Sequence, residues 1–61
     1  MKIQIKFEVD NAAFDEYGSV EYVLNQALDK FSGQLASDFK KGEYWSLRDL
    51  NGNNVGKVEI K

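Results

Sequence analysis

The residues best placed to do chemistry lie between Asp49 and Asn53. Asp49-Leu50-Asn51-Gly52-Asn53 sets oxygen-bearing side chains at alternate positions, as a calcium loop does. The run departs from the EF-hand pattern at two points the chemistry needs: the glycine comes too early, and the twelfth position is Ile60 where a glutamate should close the shell. A hairpin turn explains the same residues without a ligand. Asp15, Glu16 and Glu21 form a second acidic set with the composition of a metal or acid–base cluster. They fit better as a solvated helix start, where carboxylates meet the helix dipole. No serine, threonine or lysine has a recognisable activating base nearby in sequence. No glycine-rich phosphate loop follows a strand, because Gly52 and Gly56 fall in the hairpin. Cysteine and histidine are both absent, which removes thiolates, the commonest metal ligand and the commonest acid–base group near neutral pH. The expectation is a non-enzymatic protein with no catalytic residue, cofactor or metal site.

Tyr44 and Trp45 near Lys40, Lys41 and Arg48 give a different chemistry. Aromatics and cations on an open sheet face can stack single-stranded bases. Eight basic and ten acidic residues leave a net charge of −2, too balanced to imply nucleic acid by charge alone. Trp45 also shares its face with Leu47, which favours a core role.

These residues need elements to position them. The stretch Val20 to Leu35 carries apolar residues at Val20, Val23, Leu24, Ala27, Leu28, Phe31 and Leu35, the period of one helix face. Ser19 is the preferred N-cap and Asp15 its rival. Gly33 can end the helix, or be carried through to Leu35. Residues 2–9 alternate strictly, with Ile3, Ile5, Phe7 and Val9 on one face and Lys2, Gln4, Lys6 and Glu8 on the other, which predicts a half-buried strand. Phe14 is expected to anchor beneath the helix, after a turn at Asp10-Asn11, and Phe39 to be a second anchor in the loop that returns to the sheet.

Glu43 to Leu50 and Val55 to Ile60 predict two further strands. Asn51-Gly52 between them suits a type I′ hairpin, which needs positive φ at both central residues. That turn places Trp45 opposite Val58 and Leu47 opposite Gly56; a Gly52-Asn53 turn places them opposite Ile60 and Val58. Either register puts Trp45, Leu47, Val58 and Ile60 on one face. Tyr44, Ser46, Arg48, Leu50, Val55, Lys57 and Glu59 are then outward. Gly56 leaves room on the core face for the Trp45 ring or the helix backbone.

The reading is a single α+β domain over residues 1–61, ordered β-α-β-β. One amphipathic helix packs on one face of a three-stranded sheet that ends in a C-terminal hairpin. Strand order stays open: the first strand lies parallel to the second after a right-handed crossover, or antiparallel to the third. A chain of 61 residues buries only about 60% of its unfolded surface, so its margin is thin. No apolar run approaches a membrane span, and the alternating start lacks the apolar block of a signal peptide. A cytoplasmic location is expected.

Two motifs carry a resemblance. Asn11-Ala12-Ala13-Phe14 follows a short alternating strand, and Leu47-Arg48-Asp49-Leu50-Asn51-Gly52-Asn53-Asn54-Val55-Gly56 nearly closes the chain. Together they resemble small proteins of bacteriophages and other mobile elements with N-A-A-F near the start and L-R-D-x-N-G-N-x-V-G near the end. The resemblance implies a phage or prophage accessory protein acting in the bacterial host cytoplasm, and implies no activity or site residue.

The leading expectation is a small protein-interaction module that binds and modulates a host protein. Exposed tyrosines around an uncovered sheet supply contact area at little entropy cost, and Tyr22, Tyr44, Arg48 and Leu50 are the candidate binding residues. The alternatives are a nucleic-acid module using Lys40, Lys41, Tyr44, Arg48 and Lys57, and a structural protein that self-associates. A homodimer through an edge strand or the open face fits the small size.

Overall fold

The computed structural model describes residues 1–61. Three strands, β1 (Ile3–Phe7), β2 (Tyr44–Arg48) and β3 (Asn54–Ile60), form one sheet in the order β1-β3-β2, with both pairings antiparallel. The helix α1 (Ser19–Phe31) lies on one face, preceded by a 3₁₀ turn at Ala12–Asp15 and followed by another at Ala36–Asp38. This is the expected α+β arrangement, and the open question of strand order resolves to β1 antiparallel to β3. The first strand stops at Phe7, short of Val9.

Both ends of α1 are set by glycine. Gly18 stands at the N-cap with φ +80°, and its carbonyl accepts from the Tyr22 N–H at 2.8 Å. Ser19 is therefore not the cap. The left-handed turn at Gly18 brings the chain in one residue late, so Ser19 is the first helical residue and is buried. Asp15 does not cap α1 either, since it ends the preceding 3₁₀ turn. Ser32 leaves helical geometry and Gly33 follows at φ +73°, so the helix does not reach Leu35.

The β2–β3 hairpin keeps the register expected for an Asn51-Gly52 turn, with Trp45 opposite Val58 and Leu47 opposite Gly56. The turn itself is not type I′. Gly52 has φ +83° but no non-glycine residue has positive φ, and the Gly52 N–H donates to the Asp49 carbonyl at 3.0 Å. The connection runs from Asp49 to Asn53, and a bulge absorbs the difference: Leu47 pairs with Gly56 but Arg48 with Asn54, leaving Val55 over. The bulge turns Val55 from the outer face towards the core, and Leu50 lies in the turn rather than on the sheet.

Val23 and Ala27 of α1 pack on Leu47 and Val58, and all four are fully buried. Phe7, Phe14, Phe31, Trp45 and Val55 surround them. Phe14 stacks on Phe7 at 6.3 Å, and Phe39 joins Phe31 and Trp45 at 5.1 and 6.2 Å, so both expected anchors hold. Gly56 makes room for β1 rather than for Trp45 or the helix. A Cβ there would lie 2.0 Å from the Lys6 carbonyl and 2.5 Å from the Phe7 Cα.

Candidate functional site

The outer sheet face is built by alternation. Gln4 and Lys6 of β1, Lys57 and Glu59 of β3, and Tyr44, Ser46 and Arg48 of β2 point away from the helix. Their cross-strand order is fixed by the register, with Glu59 between Gln4 and Tyr44, and Lys57 between Lys6 and Ser46. Lys57 Nζ lies 5.7 Å from the centre of the Tyr44 ring and 3.3 Å from Glu59 Oε1. The Arg48 guanidinium donates to the Gly52 carbonyl at 3.3 Å. Tyr44 and Arg48 thus share this face. Tyr22 is on α1, beyond the opposite face, and Leu50 sits in the turn past Arg48. Trp45 is on the helix side with Phe31 at 5.5 Å, so it is withheld from any stacking on the open face.

A buried carboxylate escaped the sequence reading. Asp49 is 1% exposed. Its Oδ1 accepts from the backbone N–H of Asn51 and of Asn53, each at 2.9 Å. Its Oδ2 accepts from Asn11 Nδ2 at 2.8 Å and Asn53 Nδ2 at 3.3 Å. Burial raises the Asp49 pKa, but the donors from Asn53, Asn11 and Asn51 outweigh it and hold the carboxyl below its ordinary 3.8. Asn11 in turn caps the first 3₁₀ turn, its Oδ1 accepting from the Ala13 N–H at 3.0 Å. The two motifs that carried the resemblance are therefore one structure, joined by the Asn11–Asp49 bond. Both Asp49 oxygens are occupied by protein donors, which gives this calcium-like run a structural use. The D-x-N-G-N spacing was the available signal, since aspartate bonding backbone two residues on is an Asx turn. Asp15, Glu16 and Glu21 join no metal-ligand group, and no three acidic side chains converge anywhere in the chain.

The face beneath the helix is only partly covered. Gln26 of α1 clasps the outer edge of β2, donating to the Arg48 carbonyl and accepting from the Arg48 N–H at 3.1 Å. This clasp draws α1 over β2. Val20, Leu24 and Leu28, on the side of the helix turned from that edge, and Ile3 and Ile5 on the inner face of β1 are left between 38 and 59% exposed. All five were expected in the core. The stripe on α1 is wider than the contact it makes, and its far flank has no neighbour.

β1 also has a free edge. Lys2 and Lys61 exchange backbone hydrogen bonds, and the Glu8 N–H donates to Val55, so even-numbered residues face β3. The N–H and C=O groups of Ile3, Ile5 and Phe7 therefore point outward with no strand beside them. No helix is long and apolar enough to cross a membrane. Comparison with protein-family models, curated proteins and solved structures returns no match to this chain.

Proposed function

We propose that the protein is a non-enzymatic interaction module that binds a protein partner through the outer face of its sheet, with Tyr44 and Arg48 at the contact. The observation that carries this is Tyr44, a large aromatic left 68% exposed on a face that no element of the chain covers. Tyrosine supplies rigid, amphipathic contact area, and arginine joins it in such contacts more often than lysine does. Lys6 and Lys57 lie side by side across the β1–β3 pair, and with Lys2 and Arg48 they outnumber Glu8 and Glu59 on this face. An acidic partner surface fits that imbalance. The motif resemblance adds a phage or prophage accessory role and a host protein as the target, and that addition rests on the motifs alone.

The same cations and Tyr44 support a second reading, binding of single-stranded nucleic acid, with Lys40 and Lys41 in the loop that precedes β2. Placement of Trp45 on the helix side weakens it. Capture from nuclease-treated bacterial lysate separates the two. The interaction reading expects a protein retained by the wild type and by Tyr22→Ala, and lost from a Tyr44→Ala, Arg48→Ala double variant. Equal retention by the double variant overturns it. A signal released by nuclease, falling steeply with salt, replaces it with the nucleic-acid reading.

A further inference from the structure

We infer that the occupant of the free β1 edge is a second copy of this chain, paired antiparallel about a two-fold axis through Ile5, so that two sheets become one. This goes beyond the interaction reading above, since it concerns the β1 edge and not the Tyr44–Arg48 face. Three features of β1 converge on that register.

The first is length and hydrogen bonding. Ile5 is the middle residue of β1 (Ile3–Phe7). Setting it opposite itself pairs the strand along its whole length, with Ile3 opposite Phe7 of the second copy. Ile3, Ile5 and Phe7 are the residues whose N–H and C=O groups point to the free edge, and they meet their counterparts as hydrogen-bonded pairs.

The second is charge. On the outer face this register sets Lys2 opposite Glu8 of the second copy, and Gln4 opposite Lys6 of the second copy, each twice by symmetry. A shift to a Gln4 centre sets Lys2 against Lys6, and a Lys6 centre sets Lys6 against itself. Opposite charges directly across an antiparallel pair stabilise it and like charges destabilise it.

The third is the apolar side. Both helices end on one face of the joined sheet, because residues directly opposite in an antiparallel pair point the same way. Ile5 then lies against Ile5 of the second copy and Ile3 against Phe7 of the second copy, which covers the β1 residues that α1 leaves open. The exposed flank of α1, Val20, Leu24 and Leu28, borders this seam from either side. The outer face becomes continuous, with Tyr44 and Arg48 presented twice.

Sedimentation equilibrium over a concentration series up to roughly millimolar tests the pairing. The wild type should approach twice its 7.0 kDa chain mass. Lys2→Glu faces Glu8 of the second copy with a like charge, and should raise the dissociation constant by about tenfold. Lys2→Glu with Glu8→Lys should restore it. Lys2 and Glu8 are exposed, so these variants leave the fold intact. A monomer at every concentration overturns the inference. So does tighter association of Lys2→Glu, which would mean the Gln4-centred register, or no change, which would place the contact elsewhere. Capture with the same variants keeps the two readings apart. A monomer that still retains its partner through Tyr44 refutes the dimer alone, and a dimer that retains nothing refutes the outer-face contact alone.

Discussion

Replacing Gly56 with alanine tests how closely β1 approaches β3. The new Cβ would sit 2.0 Å from the Lys6 carbonyl oxygen, against a lower limit of 3.4 Å for ordinary contact, so the strands must part by about 1.4 Å. Overpacking alone costs roughly 1–3 kcal/mol. Such a shift also lengthens the neighbouring ladder bonds past hydrogen-bonding range, such as that from the Glu8 N–H to the Val55 carbonyl at 2.9 Å, at about 1 kcal/mol each. With two such bonds lost the sum is about 3–5 kcal/mol, against roughly 3–9 kcal/mol of total stability for a chain of 61 residues. Circular dichroism melts should show a fall in Tm of about 12 °C or more, or no cooperative transition at all. Gly52→Ala is the control. Nothing lies within 4 Å of its Cβ, and only its φ of +83° opposes alanine, at roughly 1–2 kcal/mol. A Gly56→Ala variant that melts within about 4 °C of wild type, or above Gly52→Ala, would refute the packing argument.

Asp49 gives the chain an acid-sensitive joint. Its folded pKa lies below the unfolded value of 3.8, so its stabilisation is complete well above pH 3.8 and lost as pH falls through the folded pKa. Asp49→Asn should melt lower at neutral pH and show a flatter acid limb in a stability–pH series. Leu47→Ala empties the centre of the core, where Leu47 is fully buried; chemical denaturation should show a loss of about 2–5 kcal/mol. Gln26→Ala releases the Arg48 backbone groups on the β2 edge; a modest stability loss of about 1 kcal/mol is expected, with light scattering reporting new association through that edge. Tyr44→Ala should cost no more than about 1 kcal/mol by urea titration, the span of strand propensity at an exposed site, and so leave the chain folded.

The two-residue period made most of the sheet legible. Alternation at Ile3, Ile5 and Phe7 and at Trp45 and Leu47 assigns a face to each side chain, and a slip of one residue would reverse all of them. Phe14 and Phe39 were legible as anchors because large aromatics in polar loops need a place to bury. The partial cover by α1 was not. An apolar stripe says which side of a helix prefers shelter, but the Gln26 clasp on Arg48 decides how much it receives, and that bond spans 22 positions. The Asn11–Asp49 bond spans 38, so no local pattern could join the N-A-A-F and D-x-N-G-N motifs. Val55 turned inward because the bulge inserted one residue where strict alternation had been assumed. Of the binding residues expected, Tyr44 and Arg48 were separable from Tyr22 only once the helix was known to lie across the sheet from them.

The fold is left open at β1, where a second copy of the chain is inferred to complete the sheet. Backbone hydrogen exchange followed by NMR at several protein concentrations reads the edge directly. The amides of Ile3, Ile5 and Phe7 should become protected as concentration rises, while those of Tyr17 and Leu50 exchange at constant rates. Fast exchange at Ile3, Ile5 and Phe7 at every concentration would contradict it.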